Sequence, residues 1–269
     1  MIKHLFLFLS TLLPIFASSV TFTPDQEAYL EKKKVIKMCV DPDWAPFEVI
    51  NSNKEHEGIA ADIIRLVAQN LGIQVQLVYT RTWEETIKKS QNRECDILSL
   101  ANQSPKREQW LVFTDTIIED PNILVARSEH PYIDDLSVLK NTTIALLKDT
   151  AILEMFQNEF PNIKILPVVT EEEAFWMVEN KKADLTLRSL MVTAYTIKKE
   201  NIFNLKIVGQ PKNYVNLLRI GVRNDEPILR DILNLGIRTI SQQEKEQIIN
   251  KHVYIKIETN QYDYRWLIY

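Results

Sequence analysis

The sequence predicts an α/β fold in two blocks, each a mostly parallel sheet covered by helices. Three observations predict it. Short apolar, β-branched runs alternate with stretches of helical period along most of the chain. The alternation pauses near residues 118–121 and again near 211–216, which divides it. The 269 residues are 45% hydrophobic, enough apolar matter to fill one large or two smaller cores.

The first block opens with a strand over Val35 to Val40. A helix follows over Ala60 to Leu71, with Ile63, Ile64, Val67, Ala68 and Leu71 on one face and Gly72 as its stop. Ile73, Val75, Leu77 and Tyr79 alternate as in a strand, and Thr82 with Glu85 reads as a capping box for a helix reaching about Asn92. Cys95 to Ala101 is a strand, and Ser104 with Pro105 opens another helix.

The second block repeats the grammar. Strands are expected at Asn122 to Arg127, Thr143 to Leu147, Ile163 to Val168, Asp184 to Leu187 and Leu205 to Val208. Helices are expected from Asp149 or Thr150 to Phe160, from Thr170 and Glu173 to Asn180, and from Ser189 or Leu190 to Lys199. A strand at Leu217 to Val222 and two helices, Pro227 to Ile240 and Ser241 to Lys251, come after that block is complete. The return implies a discontinuous first lobe, residues 25–118 and 216–255, around a second lobe, 119–215, with a tail over 256–269. Open α/β sheets take ligands at the carboxyl ends of their strands, and Asp43–Phe47, Arg107, Asp149–Ala151 and Arg188–Ser189 all follow predicted strands.

Composition excludes several classes of function. A net charge of −4 with no basic stripe argues against a nucleic-acid partner, and Lys32, Lys33 and Lys34 read as a solvated helix face. Five glycines supply neither a P-loop nor a dinucleotide fingerprint. His4, His56, His130 and His252 are far apart and near no cysteine pair, so neither a metal nor a cofactor is expected. Lys3 and His4 ahead of the apolar run Leu5 to Phe16, then Ala17-Ser18-Ser19, read as a secretory signal peptide over residues 1–19 and point to an exported protein. In an oxidising compartment Cys39 and Cys95 invite a disulfide, but both sit in apolar runs where cysteine also serves as a small hydrophobe.

Arg107 carries the functional expectation. In the first turn of a helix a cation opposes the dipole, unless an anion sits beside it. A guanidinium next to free backbone N–H groups makes a receptor for carboxylate or phosphate.

The order of segments over about residues 35–252 resembles the bacterial extracellular solute-binding proteins of family 3, the polar-amino-acid type. The resemblance rests on Asp41-Pro42-Asp43-Trp44-Ala45-Pro46-Phe47-Glu48, on Gly58-Ile59-Ala60-Ala61-Asp62-Ile63, on Trp83, and on Ser104-Pro105-Lys106-Arg107 followed by Phe113-Thr114. It implies a two-lobed, type II periplasmic-binding-protein fold, a Venus flytrap that closes on a small ligand between its lobes. It also implies that Arg107 holds a ligand carboxylate and that Trp44 flanks the ligand. The expected binding set is Arg107, Asp43, Trp44, Phe47, Asp62, Trp83, Asn102, Thr150 and Arg188.

Two departures set this chain apart. Lys148-Asp149-Thr150-Ala151 stands where amino-acid binders carry a Gly-Thr-Thr-like helix start, and Leu187-Arg188-Ser189-Leu190 lacks the aspartate that holds an α-ammonium. Arg188 then reads either as a second cation for a ligand with extra negative charge or as an arginine paired to a surface acid. Ser189 to Tyr195 looks more like the flytrap modules of sensor kinases and diguanylate cyclases, and the aromatic tail Tyr262 to Tyr269 resembles an approach to a membrane. The expected partners are a small carboxylate-bearing molecule and a membrane importer or sensor, with no chemistry performed. The rival is a dehydratase-like enzyme of the same fold, for which Glu48 and Asp62 are the nearest cleft carboxylates.

Overall fold

A computed structural model of the chain describes residues 20–253. The expected signal peptide and the aromatic tail lie outside the described residues. Along the chain run α1 (Pro24–Lys33), β1 (Val35–Cys39), the short β2 (Asp43–Trp44), β3 (Glu48–Ile50) and β4 (His56–Glu57), α2 (Ile59–Leu71), β5 (Gln74–Leu77), α3 (Trp83–Gln91), β6 (Ile97–Asn102), β7 (Leu111–Phe113) and β8 (Ile118–Arg127). The second half continues with β9 (Thr143–Leu147), α4 (Ala151–Glu159), β10 (Lys164–Val168), α5 (Glu171–Glu179), β11 (Leu185–Ser189), α6 (Leu190–Glu200), β12 (Leu205–Gly209), β13 (Val215–Arg223), α7 (Pro227–Arg238) and α8 (Gln242–His252).

The sheet order is β10-β9-β11-β8-β13-β6-β1-β5, with β12 also on β8 and β7 also on β13. Its two ends are parallel: β1 pairs with β5 and β6, and β9 with β10 and β11. The middle is antiparallel, because β8 and β13 run past each other with Ile118 opposite Leu218 and Pro121 opposite Val215. These two long strands are the covalent crossings between the halves.

Each half has its own core. In the first, Ile36, Ile63 and Val67 pack with Leu229, Leu233, Ile237 and Val253, so segments early and late in the chain share one interior. The amphipathic α2 lies against α7, where Gly236 lets them approach: a Cβ there would stand 2.7 Å from Leu71 Cδ1. In the second half, β8 sends Leu124 to one face of the sheet and Ile123 and Val125 to the other. The period of two places Phe156 of α4 on one side and Phe175 of α5 on the opposite one.

Caps follow the sequence with one systematic difference. Ser241 and Glu244 form the complete expected box at α8. Thr82 and Thr170 accept the N–H groups of Glu85 and Glu173, but those glutamates turn to the N–H groups of Arg81 and Val169, one residue outside the cap. Helix α1 is longer than its lysine run alone suggested, and it carries its own box between Thr23 and Gln26. The small sheet β2-β3-β4 was not foreseen; its strands are two or three residues long, too short for a periodic signal.

Two expectations are corrected. The helix expected to open at Ser104 is a single 3-10 turn, Arg107–Gln109, because the chain re-enters the sheet at Leu111 to pair with β13. No helix dipole therefore acts on Arg107. Cys39 and Cys95, weighed toward separate small hydrophobes, are paired as a disulfide with Cα atoms 5.7 Å apart, buried with Leu98, Ala101 and Leu111. Among the described residues no helix is long and apolar enough to cross a membrane.

Candidate ligand cleft between the lobes

A cavity of about 370 Å³ opens between the two halves, at the carboxyl ends of β1, β6, β9 and β11. From the first half it is lined by Asp41, Asp43, Trp44, Trp83, Asn102 and Arg107, among others, and from the second by Asp149, Thr150, Glu171, Arg188 and Ser189. Seven of the nine expected residues border it: Asp43, Trp44, Trp83, Asn102, Arg107, Thr150 and Arg188.

Arg107 is 8% exposed, and among the described residues no carboxylate lies within ion-pair distance of it. Its guanidinium donates instead to two backbone carbonyls, Asn102 O at 2.7 Å and Asp149 O at 3.4 Å. The first belongs to its own lobe and the second to the facing one. The indole of Trp83 lies under the guanidinium, 5.4 Å from its carbon, and its Nε1–H also points to Asp149 O at 3.4 Å. Burial pulls the guanidinium down from the ordinary arginine range while Glu154, Asp41 and Asp149 oppose the shift, and arginine stays charged. Among the described residues this desolvated cation therefore meets carbonyls and the Trp83 ring but no counter-ion.

Other side chains at the cleft are already committed in part. Thr150 caps α4 by accepting Leu153 N–H and donates its hydroxyl to Leu147 O. Asn102 donates to Asn216 Oδ1 at 2.8 Å and accepts Leu217 N–H, and Asn216 donates to Asn122 Oδ1 at 3.2 Å. This ladder of amides ties the end of β6 to both crossing strands. Trp44 does two things: it borders the cavity, and its ring packs on Phe47 with centroids 4.5 Å apart.

Three residues are placed otherwise than expected. Phe47 is fully buried beneath Trp44 and does not reach the cleft. Asp62 lies on α2, away from the cavity, where it accepts from Arg65, Lys251 and His252. Arg188 is neither a free second cation nor paired at the surface: at 4% exposure, it donates to the equally buried Glu171. Glu48, the other carboxylate weighed for chemistry, is also out of reach. It is fully buried and accepts from Asp41 N–H at 2.8 Å, from His56 Nε2 at 3.0 Å and from the Ser99 hydroxyl.

Sequence reasoning missed Asp41, Glu171, Asn122 and Asn216 at the cleft. Asp41 was visible, since it follows β1 directly within the quoted opening segment. Desolvation pushes its carboxyl up to about 8, opposed by the Asp43 N–H it accepts and reinforced by Glu48, Asp43 and Glu171. Glu171 gave no such signal, because an acid in the first turn of a helix is explained by the dipole alone.

Residues 36–254 match the bacterial extracellular solute-binding proteins, family 3. The chain belongs to that family. Among curated family relatives, the virulence sensor protein BvgS of Bordetella pertussis is 23% identical over 230 residues, 86% of this chain. The chain spans 19% of the length of that relative, and the same share of the BvgS of Bordetella bronchiseptica, 22% identical. Solved structures share the Venus-flytrap fold. The periplasmic VFT2 domain of B. pertussis BvgS superposes with a TM-score of 0.78 at 22% identity, covering 86% of this chain and 99% of that one. A histidine kinase sensor domain similar to periplasmic binding proteins gives 0.73 at 20%, covering 82% and 97%. An ancestral amino-acid-binding protein, a precursor of cyclohexadienyl dehydratase, gives 0.70 at 21%, covering 84% and 98%.

Proposed function

We propose that this family 3 chain binds a small carboxylate-bearing solute in the periplasm by closing its lobes, and that Arg107 holds the carboxylate. The observation that carries the reading is the buried Arg107 guanidinium, which donates to backbone carbonyls from each side of the cleft and meets no carboxylate among the described residues. A carboxylate there gains charge-assisted, bidentate hydrogen bonds that a carbonyl cannot match. The solute touches both lobes at once, so it favours the closed arrangement over the open one. The curated relatives are sensor proteins, which supports sensing as the output rather than delivery to an importer. Glu48 and Asp62, the carboxylates considered for catalysis, stand away from the cavity, which leaves the dehydratase-like reading without the residues named for it.

Mass spectrometry of small molecules released from gently purified protein would identify the solute, and calorimetry with it would follow. The reading requires binding that Arg107→Ala abolishes or strongly weakens in a protein that still folds. A released molecule without any acidic group would remove it.

A further inference from the structure

The second lobe presents an unusual wall to the cavity. Arg188 and Glu171 are 4% and 6% exposed, and Arg188 Nη2 donates to Glu171 Oε1. That contact leaves Glu171 Oε2 as an acceptor and Arg188 Nε as a donor, neither with a protein partner among the described residues. Both residues line the cavity, and buried polar atoms are expensive to leave unmet, so a bound molecule toward which side-chain rotation turns these two covered atoms gains at this wall. The pair as a whole carries no net charge. A cationic group placed there faces Arg188, and an anionic group faces Glu171, each at short range in a desolvated site. Asp41 also borders the cavity. With its carboxyl raised to about 8, it is mostly protonated at neutral pH and offers a hydroxyl donor rather than a charge.

The geometry points to a selective site: the solute is a monocarboxylate whose other end is an uncharged group with its own donor and acceptor, such as a carboxamide. This rests on the proposed role of Arg107 as the carboxylate holder. It replaces the expectation of extra negative charge, which required Arg188 to be free. It also separates this cleft from one that receives an ammonium: Glu171, the acid beside Arg188 in the cavity lining, is neutralised by it, and the fully buried Asp120, which also acts on Arg188, lies outside that lining with its carboxyl raised by desolvation.

Three probes of matched length test the inference on the purified chain at pH 7: succinamate, succinate and 4-aminobutyrate, measured by ligand-observed NMR competition. Succinamate is expected to bind about tenfold or more tighter than the other two. Glu171→Gln uncovers the charge of Arg188 and is expected to move the preference to succinate by about tenfold. Arg188→Gln uncovers Glu171 and is expected to move it to 4-aminobutyrate. Equal binding of the three, or a charged probe bound tightest by the wild type while Arg107→Ala still abolishes binding, overturns the selectivity and leaves the carboxylate reading standing. Failure of all three to bind overturns both. Variants that fold, as shown by thermal melting, yet keep the wild-type order also overturn the role of the pair. If either variant does not fold, the wild-type order decides.

Discussion

Arg107 on the first lobe and Asp149 on the second meet across the cleft, the guanidinium donating to the Asp149 carbonyl at 3.4 Å. Asp149 adopts a left-handed backbone conformation, φ 58°, immediately before the cap of α4. The turn before that helix thus brings its carbonyl toward the cation. Under the proposed function a carboxylate would compete for the same guanidinium, while Trp83, which donates to the same carbonyl, holds the arginine from below.

Arg107→Ala is expected to cost roughly 2–5 kcal/mol of carboxylate binding, much of it from leaving a charge without its partner in a desolvated site. Arg107→Lys weakens binding too, since a point charge cannot reproduce the planar fork. Stability should fall by only about 1 kcal/mol, the worth of the lost bond to Asn102 O. Calorimetry and urea titration of the same variants separate the two quantities.

Most of the alternating elements were legible because helices such as α2 carry a strong apolar face and the strands are β-branched and bounded by turns. What was not legible depends on residues distant in sequence. Arg107 was argued from a helix that is a 3-10 turn; its carbonyl partners come from Asn102, five residues back, and Asp149, far along the chain. Asp62 was placed at the cleft through the resemblance of the Gly58–Ile63 segment to the family's, yet its side chain meets Lys251 and His252 of α8. The pairing of Glu171 with Arg188 spans two elements of the second lobe, each of which has a local explanation when read alone.

Gly58 stands at φ 108°, and a Cβ there would lie 2.5 Å from Phe47 O. Gly58→Ala therefore combines backbone strain of about 1–3 kcal/mol with a clash against rigid main chain. Phe47 supports Trp44 at the cleft, so relief of the clash should disturb binding as well as stability. A lowered urea midpoint together with weaker solute binding is the expected result; a loss of stability alone would show that Trp44 is positioned independently of Phe47.

The disulfide closes a long loop, with 56 residues separating Cys39 from Cys95. Replacing both cysteines by alanine should lower stability by about 2–4 kcal/mol, chiefly through the freer unfolded chain. Neither cysteine lines the cavity, so affinity should change less than stability. Parallel denaturation of the wild type with and without reductant would show the same difference.

Asp62 fastens α8, a helix with no fully buried residue, to α2. Burial alone would raise its carboxyl, but the hydrogen bonds from Lys251 and His252 carry it below the ordinary value of 3.8. Its stabilising contribution is therefore full above the unfolded value and is lost as pH falls through the lower folded value. Because Lys251 is largely exposed, Asp62→Asn should cost only about 1 kcal/mol or less. Amide exchange should nevertheless rise in α8 specifically, whereas a uniform rise would argue against a local fastening.

Asp41 shifts in the opposite direction, and its pH dependence has the opposite sign. Its carboxyl is raised from 3.8 to about 8, first by desolvation and then by the neighbouring acids. Between those values the folded protein keeps a proton that the unfolded chain has released. Stability therefore declines as pH rises through this interval, and the favourable contribution is gone above about 8. Asp41→Asn keeps the carbonyl that accepts Asp43 N–H but cannot ionise. The variant should lose less stability than the wild type between pH 6 and pH 9, as measured by urea titration at the two values. Parallel losses in both proteins would mean that another group, not Asp41, releases the proton.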